Sequence, residues 1–302
     1  MRSFLPTDGL NGCIPIVCTP FSEDGSIDLP SLEREVDWLI AEGASGVATL
    51  AIASEGYKLT EDERDEVLRI VVKATRERVP VIASADGAGT DVALDRARRM
   101  AKLGADAVMV LPPYFVKPDA IALTDYYLRI AAAGGIPVII QDAPQLTGVA
   151  MSPALWAQLA NDASLIQYVK VEGNPQGPPI SATLAASGGK LAVFCGWGGL
   201  SIIDALERGA AGSMPAPNVT RLFSDIQSRF LAGDIAEAER LFAAELPFLL
   251  WSMQTVDHSV LAAKEELRRR GVIATNHRRQ PALELDEIAL DQLRRFLDAR
   301  LS

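Results

Sequence analysis

The sequence predicts a (β/α)₈ barrel followed by a C-terminal helical region. Three observations lead there. Eight short apolar runs rich in β-branched residues alternate with longer amphipathic segments. The runs are continuously hydrophobic, as strands covered on both faces are, rather than alternating apolar with polar. After Asn218 the runs stop and only helical patterns follow. Eight such units favour a closed barrel over an open sheet.

The strands are expected at Cys13–Cys18, Gly46–Ala51, Val81–Ala85, Ala107–Leu111, Val138–Asp142, Gln167–Glu172, Leu191–Gly196 and Gly212–Ala216. The helices between them are expected at Leu29–Ala41, Glu61–Arg78, Val92–Leu103, Ile121–Ala132, Pro153–Asn161, Ile180–Ala186 and Leu200–Arg208. Thr60 with Glu63 spells a capping box, and Ser152-Pro153 an N-cap with proline at the first helical position. Gly43, Gly104, Gly134 and Gly209 sit where a helix must reverse into a strand. The tail reads as helices at Ile235–Phe248, Val260–Arg270 and Asp286–Ala299, with a polar, proline-containing break at Thr275–Pro281. This divides the chain into a barrel, residues 1–224, and a helical region, residues 225–302.

Composition narrows the function classes. The 302 residues are 49% hydrophobic and 23% charged, too apolar for a disordered chain. Lys and Arg number 29 against 39 Asp and Glu, a net charge of −10 that repels phosphate backbones and anionic lipid, so no nucleic-acid or membrane partner is expected. Cys13, Cys18 and Cys195 are too few and scattered for a disulfide framework, and with only His258 and His277 beside them no Cys/His zinc cluster is available. The apolar run Ile130–Ile140 is too short for a bilayer, and the uncharged stretch Ala143–Asn161 is broken by Pro144, Gln145, Ser152, Pro153 and Gln158. Arg2 is accompanied by Asp8, without a cleavage pattern after an adequate apolar run, so the expected setting is cytoplasmic with reduced thiols.

Function in such a barrel gathers at the C-terminal ends of the strands. The sixth strand is the most informative: in Ile166-Gln167-Tyr168-Val169-Lys170-Val171-Glu172-Gly173, side-chain alternation puts Tyr168, Lys170 and Glu172 on one face and the valines on the other. Of seven lysines, Lys170 alone is flanked on both sides by valine. A buried Lys170–Glu172 ion pair and an edge lysine reaching solvent are the ordinary alternatives. Yet a buried pair is weak evidence for stability, so its presence asks for a use. A lysine in a semi-apolar mouth deprotonates more readily and can attack a carbonyl to form a Schiff base, with Glu172 moving protons beside it.

The second strand runs out into Leu50-Ala51-Ile52-Ala53-Ser54-Glu55-Gly56, where small residues expose backbone N–H groups that can hold a carboxylate, and Ser54 adds a hydroxyl. An ordinary turn, with Glu55 solvated or capping, is the alternative. The fifth strand ends in Gln141-Asp142-Ala143-Pro144, an amide and a carboxylate at the same rim or simply a polar loop. Gly87-Ala88-Gly89-Thr90 lacks the third glycine of a dinucleotide fingerprint, Val92 standing in its place. Gly196-Trp197-Gly198-Gly199 is a rim loop in which Trp197 either walls a pocket or packs on a helix. His258 and His277 lie in the tail, far in sequence from the strand ends, and are left out of catalysis.

Together these features resemble the dihydrodipicolinate synthase / N-acetylneuraminate lyase family. The resemblance runs from Gly12-Cys13-Ile14-Pro15-Ile16-Val17-Cys18-Thr19-Pro20-Phe21 to the last helices, through Leu59-Thr60-Glu61-Asp62-Glu63-Arg64, Pro112-Pro113-Tyr114-Phe115 and Gly209-Ala210-Ala211-Gly212. It implies a class I aldolase mechanism, in which Lys170 forms a Schiff base with pyruvate or another small 2-oxo acid and no metal or organic cofactor is needed. It also implies that Ile52, Ala53 and Ser54 hold the 2-oxo acid carboxylate, and that Asp142, Gly196 and Met214 lie at the substrate. A homotetramer built from dimers follows in the same way. Five positions depart from dihydrodipicolinate synthases. Ile52 and Ala53 replace a Thr-Thr pair, Gln141 the tyrosine acid/base, Phe115 a tyrosine contributed across a subunit interface, and Leu146 an arginine that holds the semialdehyde carboxylate. A proton relay cannot run through Ile, Gln and Phe. The combination of Ser54-Glu55, Gln141-Asp142-Ala143-Pro144 and Lys170-Val171-Glu172 is similar to the branch that dehydrates 2-keto-3-deoxy sugar acids. Three readings stand: a Schiff-base dehydratase or retro-aldolase of such an acid, dihydrodipicolinate synthase itself, and a non-catalytic 2-oxo acid binder.

Overall fold

The computed structural model describes residues 9–302; Arg2 and Asp8 lie outside the described residues. Eight parallel strands form one sheet: β1 (Gly12–Cys13), β2 (Val47–Thr49), β3 (Val81–Ser84), β4 (Ala107–Val110), β5 (Val138–Asp142), β6 (Ile166–Val171), β7 (Ala192–Cys195) and β8 (Gly212–Ser213). From β2 to β8 each strand pairs with the next in sequence, and β8 returns to β1. The seam between the first and second strands is held by the parallel bridge Ile16–Ala48, with Val17 N–H donating to the Ala48 carbonyl at 2.8 Å. The expected barrel is therefore present.

Strand lengths differ from expectation for a local reason at the seam. The ladder expected over Cys13–Cys18 is regular only at Gly12–Cys13, because Pro15 has no N–H to donate. Pro215 shortens β8 in the same way.

The apolar core has two layers. Ile14, Ile16, Ile82, Met109, Ile139, Tyr168, Phe194 and Met214 fill the barrel interior. Val47, Val108, Ile140, Val169, Val171 and Val193 face outward into the helix layer. Alternation along doubly covered strands thus sorts residues between two dry environments, which is why the sequence shows continuous hydrophobic runs.

Around the strands lie α1 (Leu29–Ala41), α2 (Glu61–Thr75), α3 (Thr90–Leu103), α4 (Ala120–Gly134), α5 (Pro144–Thr147), α6 (Pro153–Asp162), α7 (Gly177–Ser187), α8 (Ile202–Glu207) and α9 (Thr220–Leu231). The tail contributes α10 (Ile235–Ser252), α11 (Val256–Arg269) and α12 (Glu287–Leu301). The Thr60–Glu63 capping box forms, and Ser152 caps α6 ahead of Pro153. Helix α2 stops at Thr75, short of the expected Arg78, because Arg76 and Glu77 turn left-handed at φ 48° and 60°. The left-handed cap of α4 is Gly135 rather than Gly134.

Three helices differ from the sequence reading. Helix α9 buries Phe223 and Ile226 against the barrel, a helical spacing that was there to be read but followed no capping signal. Residue 224 lies inside it, so a division at 224/225 would cut a continuous helix; we propose that the barrel runs through α9 and the helical region begins with α10. Helix α11 starts at Val256, capped by Thr255, four residues before the expected Val260. Helix α10 continues to Ser252, four residues past the expected Phe248, with Pro247 inside it.

Barrel closure leaves no room at one glycine. A Cβ on Gly212 would stand 1.9 Å from the Gly12 carbonyl oxygen across the β1–β8 seam. Gly212→Ala should lower unfolding free energy by about 3 kcal/mol, the upper range for overpacking because backbone rather than a side chain obstructs it. The shift of the urea midpoint measures this, and an unchanged midpoint would show that the seam can open.

Candidate active site

Strand β6 delivers Lys170 to the C-terminal end of the barrel, and the chain just beyond it delivers Glu172 to the same face. The Lys170 Nζ lies 2.5 Å from Glu172 Oε1, and both residues are 5% exposed. Register then brings a third group. Gln141 on β5 pairs with Lys170 across the sheet, and its Nε2 donates to the same Glu172 Oε1 at 3.1 Å. One carboxylate oxygen therefore accepts from an ammonium and an amide. The Gln141 Oε1 is buried without a protein partner, an open acceptor beside the pair.

These residues line a cavity of about 70 Å³. Ala51, Ile52 and Ala53 from the loop after β2 contribute to it, with Met214 and Trp197 from the rims of β8 and β7. The tail closes the remaining side through Met253, Val256 and Ser259, none of which the sequence reading singled out.

The loop after β2 is shaped by its own hydrogen bonds. Ser54 and Gly56 N–H groups donate to the Ala51 carbonyl, and that of Glu55 to the Ile52 carbonyl, at 3.0–3.1 Å. No hydrogen bond among the described residues uses the N–H of Ile52 or Ala53. Those two donors remain available at the cavity wall. Ser54, expected to offer its hydroxyl there, is fully buried and does not line the cavity.

Glu55 is the larger correction. Far from solvated, it is completely buried at a left-handed φ of 56°. Its carboxylate meets Lys264 of α11 at 2.5 Å and Lys58 at 2.8 Å. Lys264 is itself fully buried, donates to the His277 carbonyl at 2.8 Å and stands 4.4 Å above the Phe21 ring. Burial pulls the Lys264 ammonium below its usual range, while Glu55 opposes that pull. The tail thus clamps the loop that carries Ile52 and Ala53.

Asp142 and Gly196, expected at the substrate, do not line the cavity and stand behind Glu172. Asp142 is 5% exposed, and burial pushes its carboxyl up to about 7, aided by the nearby Glu172 and countered by a backbone hydrogen bond from Met151. A Cβ on Gly196 would stand 2.4 Å from Glu172 Cγ, so the absent side chain is what admits Glu172 to its position. Gln176 braces the same turn, donating to the carbonyls of Val171 and Gly196 at 3.0 and 3.1 Å. Among the described residues no group of three His, Cys, Asp or Glu could hold a metal, and no helix is long and apolar enough to cross a membrane.

Residues 9–300 match the dihydrodipicolinate synthetase family. The chain belongs to this family. It is 33% identical over 281 residues to an L-2-keto-3-deoxyarabonate dehydratase of Azospirillum brasilense, covering 91% of this chain and 89% of that one. A 4-hydroxy-tetrahydrodipicolinate synthase of Acidiphilium cryptum is 35% identical over 242 residues, 78% of this chain and 81% of the other. The fold superposes on a crystal structure of dihydrodipicolinate synthase from Rhodopseudomonas palustris with a TM-score of 0.91 at 28% identity, over 99% and 100% of the two chains. The chain is accordingly a lyase of the dihydrodipicolinate synthetase family.

Within that family the departures noted in the sequence acquire positions. Ile52, Ala53, Gln141 and Leu146 all line the cavity, whereas Phe115 is 83% exposed and does not. Among the cavity's residues only Lys170 is basic.

Two outcomes test this architecture. Lys264→Met should lower unfolding free energy by about 3 kcal/mol, the cost of stranding a buried charge. Glu55→Gln combined with it should recover part of that loss, read by urea midpoints; additive losses would show the two side chains to be uncoupled. For Asp142 the folded value lies above the usual 3.8, so the native state holds its proton longer than the unfolded chain does. Its contribution to stability is present below about pH 4 and is lost as pH rises to about 7. Asp142→Asn should therefore flatten the decline in stability between pH 4 and pH 7, and an unaltered slope in urea titrations would place the titration elsewhere.

Proposed function

We propose that this chain forms a Schiff base between the Lys170 amine and the keto carbon of a small 2-oxo acid, and uses it to dehydrate a 2-keto-3-deoxy sugar acid. The observation that carries the reading is the single Glu172 oxygen that accepts from both Lys170 and Gln141 inside a cavity whose other lining residues are apolar except Ser259. Glu172 is placed to take the ammonium proton and leave a neutral nucleophile. Attack on C2 and loss of water give the imine, whose positive nitrogen draws electrons and acidifies C3. Glu172 then removes a C3 proton, the C3–H electrons form a carbon–carbon double bond, and the C4 hydroxyl leaves as water with a proton returned from the same carboxyl. Water hydrolyses the imine and frees Lys170. Retro-aldol cleavage would use the same imine with the C3–C4 bond breaking instead.

The free N–H groups of Ile52 and Ala53 are assigned to the substrate carboxylate, with Met214 beneath it. Gln141 Oε1 is left to accept from a substrate hydroxyl or a bound water. The dehydratase of Azospirillum brasilense supports the choice among reactions. The synthase name of the Acidiphilium cryptum relative would favour condensation, but the cavity offers no arginine for a second carboxylate. A pure binder has no need of an amine poised against a proton acceptor. We extend the reading to a cytoplasmic homotetramer, supported by three free, buried cysteines and by exposed apolar side chains at Phe115, Val116 and Ile121.

Borohydride reduction with pyruvate should attach a pyruvyl group to Lys170, located by peptide mass mapping. Glu172→Gln should still trap pyruvate while dehydration slows by about 10²–10⁴-fold, the range for losing a general acid/base. An unchanged rate would remove Glu172 from that role. Folded protein that traps neither pyruvate nor larger 2-oxo acids would establish the binder.

A further inference from the structure

The cavity also carries a selection rule for the part of the substrate that does not react. Lys170 takes C2 and the loop at Ile52–Ala53 takes the carboxylate in the proposed reaction, and this inference rests on that reading. Leu146, Trp197, Met253, Val256 and Ser259 remain to surround the carbons beyond C3. Four of these are apolar. None of the cavity's residues besides Lys170 bears a positive charge, so a second carboxylate entering there would lose its hydration without gaining a partner.

Ser259 is the exception among them. It is the one hydroxyl side chain lining the cavity, it is 8% exposed, and its hydroxyl makes no hydrogen bond to the described residues. Its backbone is firmly placed, its N–H donating to the Thr255 carbonyl at 3.2 Å within the first turn of α11. The wall it belongs to is rigid as well. Gly198, at φ 62°, lies so near Met253 that a Cβ would stand 2.5 Å from that side chain, so the β7 rim and the tail are in close contact.

We propose that Ser259 reads a hydroxyl on the substrate carbons beyond C3, and that the site selects 2-oxo acids whose tail is uncharged and bears a hydroxyl there. Longer polyol acids are disfavoured because their additional hydroxyls would face Leu146, Trp197, Met253 and Val256, which return no hydrogen bonds.

The test uses borohydride trapping, which reads imine formation without requiring dehydration. Half-saturating concentrations are compared for 5-hydroxy-2-oxopentanoate, 2-oxopentanoate and 2-oxoglutarate, each relative to pyruvate in the same variant. Wild-type protein should take the hydroxylated acid about five- to tenfold more tightly than 2-oxopentanoate, the span of one hydrogen bond. It should take 2-oxoglutarate at least about tenfold more weakly than 2-oxopentanoate. Ser259→Ala should abolish the preference for the hydroxylated acid, and Ser259→Thr, which keeps the hydroxyl, should restore it. Equal trapping of the hydroxylated and plain acids by wild-type protein, a preference that survives in Ser259→Ala, or ready trapping of 2-oxoglutarate would each overturn the proposal while leaving the imine chemistry standing. Failure to trap pyruvate itself would overturn that chemistry and this inference with it.

Discussion

A lysine and a glutamate two residues apart, 2.5 Å from each other and nearly sealed from water, set the terms for everything around them. Such a pair forfeits the hydration of both charges and is a poor way to stabilise a barrel. Its neighbourhood is arranged to tolerate it: Gln141 donates to the shared oxygen, and Gly196 gives up a side chain so that Glu172 fits. The same dryness makes the pair chemically useful. In the proposed reaction Glu172 is the base beside the Lys170 amine, in a cavity where little else competes for charge.

The second buried ion pair answers a different need. Glu55 and Lys264 are fully buried and joined at 2.5 Å, with Lys58 on the other carboxylate oxygen. They lie on segments more than two hundred residues apart, and their contact decides where the loop after β2 rests. That loop spends the N–H groups of Ser54, Glu55 and Gly56 on itself and leaves those of Ile52 and Ala53 unspent. A left-handed Glu55 is strained, and the two lysines on its carboxylate offset the strain. The C-terminal helices are therefore part of the site twice over, as a clamp on this loop and as the wall bearing Met253, Val256 and Ser259.

Charge is distributed unevenly between surface and interior. The chain carries a net charge of −10, yet within the cavity the only basic group is Lys170. Long-range attraction does not draw an anionic substrate to such a molecule. In the proposed function, binding comes from close contacts inside the mouth, with backbone N–H groups on the carboxylate and a covalent bond at the keto carbon. Apolar walls then discriminate by what they decline to solvate.

The barrel and its reactive strand were legible because both depend on short-range periodicity. Val169 and Val171 must face the helix layer if the strand is covered on both sides, and that places Lys170 and Glu172 inward without further information. Gln141 was found at the end of its own strand, although only sheet register shows that it shares an oxygen with Lys170. Ser54 was misplaced, and Glu55 was read as solvated or capping, because the choice between a solvated turn and a buried one depends on a lysine far along the chain. Ser259 could not have been found, since nothing in the pattern of α11 says which surface its first turn meets. Local sequence thus determined the strands, their inner and outer faces, most helices and the lysine with its carboxylate, because alternation and capping act over a few residues. Tertiary structure decided the clamp, the cavity wall and the unspent N–H groups, because each arises from contacts between segments that only the closed barrel and its folded-back tail bring together.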